Sequence, residues 1–190
     1  MKNTIITFSL ALLFLSCSKK NTTESFDQFL NVKTSVSIDT VKSIADKTKK
    51  LLVSNLTQKI ADSGTAGAME FCNVEALPLT KSVAEKYGLE IKRVSDKNRN
   101  PENEANETER KYIEMYRQQI LKKKELKPVV HQDVFYTPLV TNAMCLQCHG
   151  TPGKDIKPDV SAKLAELYPN DKAMGYKENE LRGLLRIKMN

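Results

Sequence analysis

The stretch Val129-Val130-His131-Gln132-Asp133-Val134-Phe135-Tyr136-Thr137-Pro138-Leu139-Val140 is rich in β-branched and aromatic residues, the composition that packs best on a pleated surface. It decides the fold class because of what flanks it. Upstream, apolar residues recur at helical spacing. Downstream, Leu185, Ile187 and Met189 alternate with Arg186 and Lys188 as a closing strand, and residues 89–94 begin the same alternation. Helices in front and strands interspersed later predict an α+β domain with an antiparallel sheet.

The helices are read from their periods and their ends. Val41, Ile44, Ala45, Leu51, Leu52, Leu56 and Ile60 keep close to a 3.6-residue spacing, with Ser37, Asp39 or Thr40 as cap and Gly64 as stop. This predicts a long amphipathic helix, with a start that can reach back into residues 26–36. A second helix over residues 66–73 carries Cys72. A third opens at Pro78, turns Val83, Ala84 and Tyr87 to one face and closes at Gly88. Residues 95–106 are polar with Pro101 inside, a loop long enough to be either functional or disordered. Helical spacing returns over residues 108–121 through Tyr112, Ile113, Tyr116 and Ile120.

The chain has 190 residues, 28% of them charged and 40% hydrophobic, the balance of one soluble domain and not of a multispanning membrane protein. Its formal charge of +7 is spread over segments 47–50, 122–124 and 154–157, with acids or polar residues nearby. Aromatics are 6% with no tryptophan, so a concentrated basic stripe with interleaved rings is absent and nucleic acid is not an expected partner. At the N-terminus Lys2 precedes an apolar run over residues 5–15 that ends in Ser16-Cys17-Ser18-Lys19-Lys20. The run falls short of the about 20 apolar residues that span a bilayer and has the layout of a secretory signal. It resembles a bacterial lipobox, which predicts a signal peptide over residues 1–16, lipidation of Cys17, and a lipidated tether with the start of the first helix over 17–36. Each buried methylene contributes about 0.8 kcal/mol, so several acyl chains anchor stably where one is marginal. The domain over 37–190 would then be extracytoplasmic and lipid-anchored, on the periplasmic face of a bacterial membrane or on the cell surface.

Four cysteines and two histidines are few enough to account for singly. Cys145-Leu146-Gln147-Cys148-His149 is the attachment motif of a c-type haem. Two cysteines three positions apart can add to the two vinyl groups of one porphyrin, and the adjacent histidine then sits under the iron. Haem attachment also takes place outside the cytoplasm, in agreement with the leader. A thioredoxin-like site would want a strand before the motif and a helix starting at it, whereas Gly150, Pro152 and Gly153 break a helix. A zinc site could recruit Cys72, but paired knuckles are the usual pattern and one pair is present. A plain disulfide leaves His149 without a role. One haem c is the expected cofactor.

The sixth iron position has several claimants. His131 is the other histidine, and Met69, Met115, Met144, Met174 and Met189 are formal candidates because Met/His pairing is common in cytochromes c. Cys72 is the one thiol left once lipidation and haem attachment take the others; a small buried hydrophobe is its alternative role.

Gly67-Ala68-Met69-Glu70-Phe71-Cys72-Asn73, then Tyr87-Gly88, residues 91–95 and Arg99-Asn100-Pro101-Glu102-Asn103 with Glu109 after it, form an ordered series of motifs. Tyr136-Thr137-Pro138-Leu139, His149-Gly150, the run from Tyr168-Pro169-Asn170 to Tyr176, and Leu181-Arg182-Gly183-Leu184 continue it. Over residues 41–189 the series resembles the Tll0287-like haem-binding family. A departure is Glu178-Asn179-Glu180, where the family more often has a glycine-aspartate pair. The resemblance implies a PAS-like antiparallel sheet with a long N-terminal helix and flanking helices. It also implies a haem c ligated by His149 on one face and by a cysteine, which maps onto Cys72, on the other. Arg99 and Arg182 are then candidate partners of the haem propionates, with Tyr136 and Met144 as further candidates for the haem environment.

A thiolate favours ferric iron and a low potential, and it is held less firmly after reduction, when CO or NO could take its place. The expected function is a non-enzymatic extracytoplasmic sensor of redox state or of a diatomic gas, passing its signal to a separate partner protein. The alternative is a mono-haem cytochrome that carries electrons. Peroxidase-like catalysis needs an open distal site and an acid/base group, for which His131 is the only obvious imidazole.

Overall fold

The computed structural model describes residues 36–189. The signal peptide, Cys17 and all of the tether before residue 36 lie outside the described residues. Helix α1 (Ile38–Glu70) starts at Ser37, whose hydroxyl accepts from the Thr40 amide at 3.2 Å. Its first turns bury Val41, Ile44 and Ala45 against Phe135, Leu185 and Ile187 of the sheet. Gly64 stands at φ 70°, ψ 175°, a backbone open to glycine at no steric cost, and kinks the helix. The sequence pattern stops a helix there; the chain resumes it at once, so two expected helices form one bent run.

Residues Phe71–Glu75 form a π-turn, with the Ala76 amide bonded to the Phe71 carbonyl, and lead without a loop into α2 (Ala76–Tyr87). Pro78 explains it. Inside a continuous helix its ring would collide with the carbonyl four residues back and its missing N–H would leave that carbonyl unpaired, and a widened turn just ahead relieves both. Pro78 therefore shapes the junction from inside α2, where the sequence analysis had it open the helix. Gly88, at φ 62°, closes α2 as expected.

Strand β1 (Glu90–Val94) is followed by residues 95–106, which are ordered: a 3₁₀ turn at Pro101–Asn103 is held by amide bonds from Ser95 to Asn103 and from Ala105 back to Ser95, 2.9 and 3.0 Å. Helix α3 (Glu107–Leu121) begins in a capping box, Asn106 accepting from the Glu109 amide at 2.9 Å and Glu109 from the Asn106 amide at 2.8 Å. Then come β2 (Val129–His131), β3 (Val134–Val140), α4 (Ala143–His149), α5 (Pro158–Leu167) and β4 (Leu181–Lys188). The sheet is antiparallel throughout, in the order β1-β4-β3-β2. Asn179, before β4, takes φ 63°, a left-handed backbone that asparagine tolerates better than most residues.

The domain is thus α+β, with a long N-terminal helix over a four-stranded antiparallel sheet. Helices α1 and α2 cover one face; α3 covers the other, packing Ile113 and Tyr116 on Tyr136 and Leu184. A third core gathers Met69, Cys148, Ile156, Val160 and Leu164 beneath α5. Among the described residues no helix is long and apolar enough to cross a membrane.

Candidate haem cavity

All of Cys145, Leu146, Gln147, Cys148 and His149 lie on α4, whose cap is Asn142, accepting from the Cys145 amide at 3.2 Å. A strand does precede the motif and a short helix does carry both cysteines, which corrects the expectation that Gly150 and its neighbours forbid one. Gly150 ends that helix after His149 instead of preventing it. A Cβ there would stand 2.4 Å from Asp155 Cβ and 2.6 Å from the Leu146 carbonyl oxygen, so the immediate turn back requires glycine. Cys148 is buried, and burial pushes its thiol up to about 12. A plain exchanger also leaves the adjacent His149 without a role.

Helix α4 is tied down from three sides. From α1, the Thr65 hydroxyl donates to Gln147 Oε1 at 2.7 Å and the Thr57 hydroxyl to Met144 Sδ at 3.6 Å. From the loop after α5, the amides of Gly175 and Tyr176 donate to the carbonyls of Gly150 and His149 at 2.8 and 2.9 Å. From residues 95–106, Arg99 donates through Nη2 to the Cys148 carbonyl at 2.5 Å and through Nε to Asp171 at 2.9 Å. The Arg99 and Asp171 side chains are 7% and 4% exposed, so this pair is shielded from solvent.

His149 Nδ1 lies 2.7 Å from the Ala173 carbonyl oxygen, an arrangement in which Nδ1–H donates and Nε2 keeps its lone pair for another partner. Burial, with the Arg182 and Arg99 guanidiniums nearby, holds the ring well below the usual imidazole range and therefore neutral.

Beside α4 lies a cavity of about 330 Å³, and Cys145, Cys148, His149 and Cys72 all line it. Leu52, Leu56 and Ile60 of α1 and Leu139 and Leu185 of the sheet make its apolar walls. Cys72 enters from the π-turn; burial raises its thiol pKa and the Arg99 and Arg93 guanidiniums act against that rise. Among the described residues no three His, Cys, Asp or Glu side chains converge where a bare metal ion could sit. The four donors instead ring a volume, which suits a large flat ligand carrying its own metal better than a zinc ion. The Arg182 side chain lines the cavity, and its Nε is buried without a hydrogen-bond partner. The donor set, the apolar walls and this donor together fit a haem.

The other candidates divide. Arg99, Arg182 and Met144 line the cavity, as does Met69, which is fully buried. Tyr136 does not line it: β3 turns this side chain to the α3 face, where its ring stacks on Tyr112 at 4.8 Å. His131 sits 5.9 Å from the same Tyr112 ring, Met115 packs in that core, and Met174 and Met189 border two other cores. The sequence analysis missed Arg93, which lines the cavity from β1. Strand alternation held the signal, since residues 91 and 93 share a face and Ile91 packs under α1 and α2.

The family model Tll0287-like matches residues 21–190. Among solved structures, the crystal structure of the cyanobacterial heme-protein Tll0287 superposes with a TM-score of 0.53 at 19% identity, over 80% of this chain and 96% of that one. At that identity the likeness shows the fold. No curated protein matches the chain.

Proposed function

The chain belongs to the Tll0287-like family, and from that premise we propose that it is a haem-binding domain with one covalently attached haem c. Cys145 and Cys148 form the thioethers, and His149 and Cys72 are the axial ligands. The observation that carries this reading is the convergence of these four residues on one apolar cavity, with His149 Nδ1 already engaged by Ala173. A haem there supplies one-electron redox chemistry and a coordination position for a diatomic gas.

The chain's own part favours sensing over electron carriage. Cys72 stands on a π-turn, and such a turn can pass into regular helix by a shift of hydrogen-bond register that carries its side chains around the axis. A ligand so mounted can leave the cavity on reduction and admit CO or NO, whereas an electron carrier works best with both ligands fixed. The carrier reading draws on one observation: Val53 and Val140, 49% and 38% exposed, stand on the cavity lining and offer an apolar edge to a redox partner. In the reading preferred here the protein is non-enzymatic, extracytoplasmic, lipid-anchored through Cys17 and coupled to a separate signalling protein, without a role in nucleic-acid binding.

The test is expression of the full chain with c-type maturation machinery, followed by acid-acetone extraction. Pigment that stays on the polypeptide and gives a c-type pyridine haemochrome supports the reading. Extractable haem, or zinc in place of iron, overturns it.

A further inference from the structure

The haem cavity is lined by three guanidiniums, Arg93, Arg99 and Arg182, and its lining contains no aspartate or glutamate. Arg99 is already satisfied by Asp171 and the Cys148 carbonyl. The other two are not. Arg182 gives Nη1 to the Lys97 carbonyl at 3.1 Å and lies over the Tyr176 ring at 5.6 Å, but its Nε is sealed and unpartnered. Among the described residues the Arg93 side chain has no hydrogen bond and no ion pair, and burial lowers the pKa of both guanidiniums. Both also line a smaller cavity of about 140 Å³ beside His149, where Asn98 Oδ1 is likewise sealed and unpartnered. Two half-buried guanidiniums without carboxylate partners on one apolar cavity suit a ligand that brings negative charge of its own. A metal dication would add to the imbalance.

Resting on the haem reading above, we propose that Arg93 and Arg182 form the propionate subsite, one guanidinium for each carboxylate, and that Arg99 is a positioning residue that fixes α4. The fork of a guanidinium matches a carboxylate in two parallel hydrogen bonds. Propionates and vinyl groups occupy opposite edges of a porphyrin. The division of labour follows: β1 and β4 supply the cations for one edge and α4 supplies the thiols for the other.

The test compares ferric resonance Raman spectra and reduction potentials of the full-length holoprotein and its variants. Arg93→Leu and Arg182→Leu should each shift a propionate bending band and lower the potential, because removing a nearby cation disfavours the electron-rich state. Acid acetone should leave their haem attached. Arg93→Lys and Arg182→Lys keep the charge and lose the fork. They should hold the potential near that of the wild type while still shifting the band, and they decide the matter if the leucine variants do not fold. Unshifted bands in variants that retain covalent haem overturn the subsite while leaving the haem reading intact. A wild type without covalent pigment overturns the haem reading, and the subsite with it.

Discussion

On the α3 side of the sheet, Glu109, 3% exposed, closes the capping box and also meets Arg186 Nε at 3.3 Å, while Arg186 pairs again with Glu90. The buried Tyr116 hydroxyl there donates to the Lys127 carbonyl at 2.8 Å. On the α1 side, the Arg93 side chain has no hydrogen-bond or ion-pair partner among the described residues, Arg182 Nε is unpaired, and a cavity of about 330 Å³ is lined by the long helix, the sheet and α4. The same sheet therefore serves two purposes. One face closes on itself with its charges neutralised; the other, covered by α1 and α2 over part of its area, keeps an apolar and positively charged cavity. Unfilled space next to unpaired donors locates function better than burial alone.

The contrast can be broken most severely from the open side. Replacing both Cys145 and Cys148 by serine should abolish covalent haem altogether, read as the loss of the haem mass from the intact protein by mass spectrometry. A variant that keeps that mass would show attachment elsewhere.

From the closed side, Ile113→Ala empties a position 1% exposed and should cost about 2 to 5 kcal/mol of stability in denaturant titration. The haem absorption spectrum of the folded protein should not change. A shifted spectrum would mean that the two faces are not independent.

Gly150→Ala probes the junction between them. Its Cβ meets Asp155 and the Leu146 carbonyl, neither of which can yield without moving the end of α4, so a loss of about 1 to 3 kcal/mol and a lower haem yield per polypeptide are expected. Wild-type yield and melting temperature would contradict the tight turn after His149.

The smallest effect concerns Tyr116, whose hydroxyl burial pushes up to about 12. The unfolded chain releases this proton near the ordinary tyrosine pKa of about 10. The contribution of Tyr116 to stability is thus whole below that pH and is lost as pH rises through about 12. Ultraviolet titration against Tyr116→Phe checks it: one phenol fewer should titrate, and only at the alkaline end.

How much of this was legible in the sequence depended on how local each signal was. Cys145, Cys148 and His149 lie within five consecutive positions, and their chemistry could be read without a fold. The end of strand β4 and helix α3 were legible because alternation and helical spacing are local patterns, although the Asn106/Glu109 cap that starts α3 was passed over. The π-turn under Cys72 was not, since Phe71 to Asn73 read as the end of an ordinary helix and the cause, Pro78, lies beyond them and was taken for the next helix's start. Tyr136 was assigned to the haem from its place in a motif, whereas the pleat sends it to the opposite face. Arg93 carried no signal in the sequence beyond its place in a short strand, and the register beside Leu185 places it on the cavity. Local chemistry was readable; which side of the sheet a residue serves required the pairing.

The pairing of Cys72 with His149 across the cavity is tested most directly by electron paramagnetic resonance of the ferric protein beside Cys72→Ala. Thiolate and imidazole ligation predicts a low-spin signal in the wild type that becomes high-spin or water-bound in Cys72→Ala, with the haem still covalently attached. An identical low-spin signal in both proteins would contradict it and return the sixth position to Met69 or Met144, which line the same cavity.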